Sequence, residues 1–522
     1  MIFRSTFDDV GLLDVPVHDA VLGRSARTYA GRPAFVDAAD GASVTYAGLD
    51  AHSRRTAAAL AEAGVRKGDV VALHSPNSLV WPGVFYGITR AGATVTPAGV
   101  LSTAGELARQ VRDSRASWIV TTSALLPTAE DAAKRVGGVR EIFVCDRAEG
   151  YRSVLDLRES TAPEPRPALT PGEDLAVLPY SSGTTALPKG VMLTHRSVAT
   201  NLAQQQPLLP TGPDDVILAI MPFSHGYGQA SLLHAPLRSG STVVLLPAPF
   251  DLGAFLAAVE TYRVTVLYLA PPIVLALARH PDVADYDLSS VRWALCGAAP
   301  LDADLADACA RRLGLTALGN GYGMTEASPG IAATTGRDAA MPHGTAGRIA
   351  PSTEIRIVGT EDGRDLGVEE VGEIFVRGPQ VMKGYLGQPE ETDAMVDDAG
   401  WLRTGDVGRI DADGWLFVVD RVKELIKYKG YQVAPAELEG VLLSHPGIAD
   451  AAVTGVPDEH GGEVPKAFVV RTADAAGAAL TGEDVMAYVA GRVAPYKKVR
   501  QVAFTDAVPR AASGKILRRR LR

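Results

Sequence analysis

The sequence predicts an α/β fold: a large N-terminal domain of stacked parallel and mixed sheets with helices, a small β-barrel, and a smaller C-terminal α+β domain. Three observations predict it. The chain has 522 residues, more than one hydrophobic core organises, so two or more domains are expected. Through roughly the first 340 residues, apolar β-type runs alternate with Ala-rich helical patterns, the order that builds parallel sheets covered by helices. After Pro342 the texture changes to short runs separated by Gly and Asp turns, and a last unit begins near Lys423. The expected division is therefore 1–422 and 423–522.

The elements follow in chain order. DVVALHSP (69–76) reads as a strand entering a turn, WPGVFYGITRAGA (81–93) as a helix, and TVTPAG as the next strand. SWIVTTS (117–123), VILAIMPF (216–223), TVVLLP (242–247) and VTVLYLAPP (264–272) read as further strands. Beyond Pro342, EIRIVG, GEIFVRG and GWLFVVD suggest a small antiparallel barrel or sheet. In the last unit, PAELEGVLLSH (435–445) reads as a helix with Pro435 at its first position. IADAAVTGV (448–456) and KAFVVRT (466–472) read as strands, and TGEDVMAYVAGRV (481–493) as a helix capped by Thr481 and Asp484. The basic tail KILRRRLR reads as a solvated edge.

Composition narrows the function classes. With 47% hydrophobic and 21% charged residues the chain is ordinary globular material. Its formal net charge of −9 argues against general nucleic-acid affinity. MIFRSTFDDVGLLDV carries acidic residues where a signal peptide needs a basic start. The longest apolar run, 264–278, is interrupted by Pro271 and Pro272, so no membrane span is expected. Cys145, Cys296 and Cys309 lack CxxC spacing and support neither a zinc site nor a disulfide framework, which makes the cytoplasm the expected location. Only 11 of the 51 basic residues are Lys, yet five of those fall in three short stretches, 181–190, 421–432 and 509–515. Lys is the compact point charge that suits phosphate and carboxylate chemistry.

The first of these stretches is SSGTTALPKG (181–190), a Ser/Thr/Gly loop with the composition of a phosphate cradle. A Walker loop reads GxxxxGK[ST] and opens directly into a helix. Here Pro188 precedes Lys189, Gly190 follows it, and the strand-like VMLT intervenes before HRSVATNLAQQ begins a helix. The Walker reading fails on spacing and on context. GYGMTE (321–326) offers Gly for close ligand approach, Tyr322 as a stacking surface, Thr325 as a hydroxyl donor and Glu326 as a metal carboxylate. WLRTGD (401–406) ends in Asp406, suited to ribose hydroxyls, and DRVKELIKYKGYQVAP and PRAASGK add basic groups. Taken singly, Tyr322 reads equally as core, Asp406 as a turn residue and Lys515 as solvated. Together and in this order, the stretches point to nucleotide chemistry.

The combination YSSGTT, LPKG, GYGMTE, GEIFVRG, WLRTGD, VDRVKELIKYKGYQVAPAELE and SGKILRR resembles the adenylate-forming acyl- and aryl-CoA synthetases, nearest the 4-coumarate–CoA ligase group. The resemblance runs over roughly residues 30 to 520. It implies ATP, Mg2+ and coenzyme A, a carboxylic acid substrate, and two half-reactions at one site. Ser181, Ser182, Gly183, Thr184, Thr185 and Lys189 would then hold the β- and γ-phosphates. Gly297, Ala298, Ala299 and Pro300 would frame adenine with Gly321, Tyr322 and Gly323. Thr325 would meet the α-phosphate, Glu326 would bind Mg2+, and Asp406 and Arg421 would hold the ribose. Lys515 would serve acyl-AMP formation. A mobile C-terminal domain would next rotate about Lys423 and bring up Lys427, Lys429, Gly430 and Gln432 to form the thiol tunnel.

The same resemblance assigns the acid pocket. His225 lies near the carboxylate, and Tyr227, Ser231, Leu295, Gly321, Pro329 and Gly330 form the walls. These stretches hold no Arg or Lys for a dicarboxylate and no Asp near His225 for an α-amine. Hydroxycinnamic and cinnamic acids are favoured, with a medium- or long-chain fatty acyl-CoA ligase as the alternative and a luciferase-like oxygenase third. Gly330 stands where plant relatives often carry Val, which implies a wider pocket tolerant of ring methoxy groups. Two departures stand out: Ala186 replaces the usual Gly of the loop, and Pro249 replaces a CoA-contacting Lys. PRAASGK also resembles the surroundings of lysines acetylated in bacterial CoA ligases, so a lysine acetyltransferase acting on Lys515 is an expected partner.

Overall fold

Six strands rich in Val, Leu and Ala run parallel through the middle of the larger sheet. In spatial order they are Pro33–Asp37, Thr242–Leu245, Val216–Ala219, Val266–Leu269, Trp293–Cys296 and Gly319–Gly323. Val266–Leu269 and Trp293–Cys296 are buried throughout, as expected of strands covered on both faces. This is a computed structural model; it describes all residues except Arg158, 182–187, 247–249, Pro300, Ala339, 429–430, 459–461, 512–513 and Arg522.

At Gly330–Thr334 the sheet turns antiparallel. It continues through Gly347–Ile349, Trp415–Arg421, Leu402–Ile410, Gly372–Arg377 and Glu354–Val358 to Phe3–Arg4. The antiparallel unit expected after Pro342 is therefore present, and its strands extend the main sheet. Gly347–Ile349 makes the join, pairing with Ala332 and Ala333 on one side and with Trp415 and Leu416 on the other. The strand Phe3–Arg4, invisible in the local pattern, closes this edge.

The second sheet has Val70–Leu73, Thr94–Pro97, Trp118–Thr121 and Glu141–Val144 in parallel. Leu175–Val177 joins it to an antiparallel hairpin of Tyr180–Ser181 and Lys189–Thr194. Ser181 and Lys189 are register partners at the end of that hairpin. The run 264–278 divides at its prolines into a strand and a helix, Pro271–Arg279, that both prolines open. No helix among the described residues is long and apolar enough to cross a membrane.

The C-terminal sheet contains Ile426–Tyr428, Tyr431–Val433, Ile448–Asp458, Gly462–Arg471 and Gln501–Phe504. It encloses its own core, with Leu438, Leu442, Val453, Val469 and Val485 buried together. Pro435 opens the helix Pro435–Leu443, and the Thr481–Asp484 capping box opens Gly482–Ala490. This unit docks on the larger one. Arg279 donates to Ile448 O at 3.0 Å and to Leu443 O, and a Cβ on Gly440 would lie 2.7 Å from Asp302 Oδ2.

The tail departs from the solvated edge the sequence suggested. Arg518 is largely buried, donates to both oxygens of Glu439 at 2.7 and 2.9 Å, and pairs with Glu424. Burial pushes the Glu439 carboxyl up to about 7, while Arg518 and the Val453 N–H (2.8 Å) favour its charged form. A folded pKa raised above the unfolded value means that this group loses stabilisation as pH rises from about 4.5 through 7. Removing one partner of a buried ion pair typically costs about 3–5 kcal/mol. Arg518→Met is therefore expected to lower the urea unfolding midpoint strongly at pH 8 and much less at pH 5.5, where Glu439 carries its proton. Arg518→Met combined with Glu439→Gln should recover most of the loss. A deficit equal at both pH values would show that packing, not charge, dominates at Arg518.

Candidate functional site

In an open parallel sheet, ligands meet the loops that leave the C-terminal strand ends. Here four adjacent strands deliver the candidate residues to one edge. Val216–Ala219 leads to His225 and Tyr227, Val266–Leu269 to Ala270 and Pro272, Trp293–Cys296 to Gly297, Ala298 and Ala299, and Gly319–Gly323 to Thr325 and Glu326. The C-terminal unit reaches the same edge. Gly514 has φ +84°, and a Cβ there would lie 3.3 Å from Ala270 Cβ and 3.4 Å from Pro272 Cδ. A residue without a side chain suits both demands. The next residue, Lys515, exerts its charge on both His225 and Asp406. Its own pKa is lowered, first by burial and then by the Arg421 charge.

Asp406 and Arg421 are register partners on neighbouring strands. Asp406 Oδ2 accepts the Tyr322 hydroxyl proton at 2.7 Å and Oδ1 pairs with Arg421 Nε at 3.2 Å. Burial raises the Asp406 pKa despite these partners, and burial together with Asp406 raises that of Tyr322, which keeps its phenolic proton. Ala298 holds φ +71°, an uncommon conformation for a residue with a side chain, in the loop assigned to adenine. A Cβ on Gly297 would sit 3.2 Å from Tyr227 Cζ, so the glycine lets this aromatic ring pack against the loop.

At the phosphate end, Glu326 is buried, and its Oε1 accepts from Ser181 Oγ at 2.8 Å and from Tyr385 Oη at 3.0 Å. Its Oε2 takes no hydrogen bond from the described residues. Lys189 Nζ pairs with Glu391 and lies 5.0 Å from the Tyr385 ring centroid. Tyr385 therefore links Lys189 to Glu326, a connection the motifs did not reveal. Its signal was the GY pair at 384–385, whose strand pairs with Lys189–Thr194. Among the described residues no group of three or more His, Cys, Asp or Glu side chains could hold a metal. One free carboxylate oxygen fits Mg2+, which takes few protein ligands and completes its shell from phosphate and water. Ser182, Gly183, Thr184 and Thr185 lie outside the described residues, as do Ala186, Pro249, Pro300, Lys429 and Gly430.

The acid pocket is assembled from the same edge. His225 Nδ1 accepts the Tyr227 N–H at 3.3 Å, which fixes the ring at the start of a short helical turn. It sits in the cleft with its ring accessible, and burial followed by the Lys515 charge lowers its pKa, so it is neutral at pH 7. Tyr227 donates its hydroxyl proton to Leu269 O at 3.2 Å, with Leu295 O at 3.4 Å, leaving an oxygen lone pair to accept. A Cβ on Gly226 would lie 3.6 Å from Pro329 Cβ, and one on Gly321 would lie 3.3 Å from Leu295 Cδ2. Tyr227 thus meets Leu295, Leu295 meets Gly321, and the residue before Tyr227 meets Pro329. Ser231 lies on the π-helix Gln229–His234 that follows Tyr227. The opening expected at Gly330 holds another group: a Cβ there would be 2.4 Å from Gln205 Cδ and Nε2. The sequence motifs did not mark Gln205.

Lys427 and Gln432 are register partners on the hairpin of Ile426–Tyr428 and Tyr431–Val433. Lys427 and Lys423 are exposed to solvent. The described contacts bring Lys515, and not Lys427, to the strand ends.

Comparison with known proteins gives the same assignment. Residues 22–386 match the AMP-binding enzyme family and residues 437–515 its AMP-binding enzyme C-terminal domain. The 4-coumarate–CoA ligase 3 of Oryza sativa subsp. japonica is 43% identical, over 100% of this chain and 94% of its own length. The ATP-bound MatB of Rhodopseudomonas palustris shares the fold at TM-score 0.85 and 30% identity, over 96% of this chain and 98% of its own. The anthranilate CoA ligase AuaEII with anthranoyl-AMP superposes at TM-score 0.89 and 26% identity, covering 98% and 97%. The chain belongs to the AMP-binding enzyme family of adenylate-forming ligases.

Proposed function

We propose that this protein activates a hydroxycinnamic or cinnamic acid with ATP and transfers the acyl group to coenzyme A. The observation that carries this reading is the seating of Gly514, the residue before Lys515, against Ala270 and Pro272 at the strand ends that also deliver His225. In the first step a carboxylate oxygen forms a bond to the α-phosphorus while the bond from phosphorus to pyrophosphate breaks. Lys515 holds the carboxylate against the α-phosphate, and Thr325 orients the phosphate. The Ser181–Lys189 hairpin, with Lys189 exchanging Glu391 for phosphate oxygens, follows pyrophosphate as it leaves. Glu326 would hold Mg2+, which would supply positive charge against the phosphates. Asp406 accepts from the ribose hydroxyls, kept in place by Tyr322 and Arg421.

In the second step the thiol sulfur bonds to the acyl carbon and AMP leaves with the electron pair of the broken C–O bond. Lys515 occupies the edge that the hairpin carrying Lys427 and Gln432 must reach, so the unit from Lys423 onward has to turn between the steps. Lys515 is half-buried between the two units, so acetylation of its Nζ belongs to the turned-away arrangement. A cytoplasmic location fits three buried free cysteines. The aryl reading is favoured over a fatty acyl one because Tyr227, at the strand ends, keeps a hydroxyl lone pair able to accept from a phenol.

Lys515→Ala should lose adenylation by about 10²–10³-fold, or ~2.7–4 kcal/mol. It should still make thioester from synthetic acyl-AMP and CoA. Lys427→Ala should do the reverse, accumulating acyl-AMP. Pyrophosphate release and thioester formation, measured separately, check this, and equal impairment of Lys515→Ala in both assays would refute the division. Tyr227→Phe should lower kcat/KM for 4-hydroxycinnamate relative to cinnamate by about 0.5–1.5 kcal/mol, the value of one neutral hydrogen bond. A panel of acids assayed for CoA-dependent AMP release tests the substrate class. Faster turnover of octanoate than of every cinnamate would overturn the aryl reading.

A further inference from the structure

Gly330 does not leave an empty recess. The helix His195–Gln205 runs beneath it, and Asn201 and Gln205, one turn apart, present the same face to it. Asn201 clamps the backbone: its Oδ1 accepts the Gly330 N–H at 3.0 Å and its Nδ2 donates to Gly330 O at 2.9 Å. Gln204, turned the other way, donates to Pro351 O at 2.8 Å and to Gln380 Oε1 at 2.9 Å, which fixes the end of the helix. Gln205 is left with its carboxamide in the volume that a side chain at position 330 would enter. Its Nε2 is buried and has no hydrogen-bond partner among the described residues. Ser328 Oγ, on the other side of Pro329, is likewise buried and unpartnered.

A buried donor without an acceptor is costly, and it is retained where a ligand supplies the acceptor. We propose that Gln205 is a specificity-determining residue, its carboxamide donating to an oxygen on the acid's ring beside the 4-position, and that Gly330 is what gives it access. The inference rests on the aryl-acid reading above. Tyr227 takes the 4-hydroxyl at one end of the pocket. Gln205, reached past Gly330 on another element, takes the neighbouring hydroxyl or methoxy oxygen. A site built to hydrogen-bond one substrate oxygen discriminates against the analogue that lacks it, because its own donor then stays buried and unpaired. A wide pocket alone predicts tolerance of substituted rings; a donor predicts preference for them.

The test compares kcat/KM for cinnamate, 4-hydroxycinnamate, 3,4-dihydroxycinnamate and 4-hydroxy-3-methoxycinnamate. Gln205→Leu should lower the two 3-oxygenated acids about fivefold while leaving the other two within about twofold, the size expected of one neutral hydrogen bond. Gln205→Met provides a second, unbranched apolar replacement with the same expectation. Unchanged turnover of cinnamate reports that the fold is intact. Gly330→Val, by displacing the carboxamide, should lower the two 3-oxygenated acids at least as much, and adding Gln205→Leu to Gly330→Val should cost those two acids nothing further. Equal losses for all four acids, or additive losses in the double variant, would overturn the role of Gln205. Wild-type protein inactive on every cinnamate would overturn the aryl reading, and the Gln205 role with it.

Discussion

Everything at this site depends on four adjacent parallel strands ending on one line. Parallel pairing between Val216–Ala219, Val266–Leu269, Trp293–Cys296 and Gly319–Gly323 makes each chain leave the sheet at the same edge. Residues distant in sequence are thereby delivered within one ligand length. The strands hold this alignment because their side chains are buried on both faces, where a register slip would misplace apolar groups. The antiparallel strand Gly330–Thr334 then folds back beside the last of them, which sets Pro329 opposite Gly226 and closes the pocket wall.

Electrostatics divides that edge into zones. At the ribose end, Asp406 is buried and its pKa raised, yet Tyr322, Arg421 and the Lys515 charge all favour its ionised form. A carboxylate with both oxygens already engaged cannot swing, so hydroxyl groups of a ligand meet acceptors in fixed positions. At the phosphate end, Lys189 is neutralised by Glu391, and Glu326 is held by two hydroxyl donors. Lys189 is thus already paired with a carboxylate, while Glu326 is left with a charge that, among the described residues, only neutral hydroxyls stabilise.

The sequence was readable where a local pattern determines the outcome. Buried strands such as Val266–Leu269 announce themselves by β-branched and aliphatic runs, Pro271 by the helix it opens, and Thr481 by its capping partner Asp484. The nucleotide residues were legible because their types and spacing are chemically constrained. What escaped were contacts between distant segments. The Phe3–Arg4 strand is too short to carry a period, and Tyr385 acquires its role only when its strand meets Lys189–Thr194. Arg518, in a run of arginines that reads as solvated, is drawn inward because Glu424 and Glu439 arrive from other elements. Gly330 was read as an absence, since nothing in the local sequence reveals that Gln205, 125 positions earlier, fills the space.

The C-terminal unit docks at the edge where the parallel strands end. Gly514 approaches Ala270 and Pro272 so closely that a side chain there would press on both. The hairpin carrying Lys427 and Gln432 belongs to the same unit. The contacts that hold the present arrangement are both polar and apolar: Arg279 donates to two backbone carbonyls, Asp420 accepts the Ala436 N–H, and Val407 packs with Leu425 and Ala434. Each unit keeps its larger apolar core to itself. Glu424, beside Lys423, bonds with Arg518 of the C-terminal tail. The tail that carries Lys515 is thereby tied to the segment at Glu424.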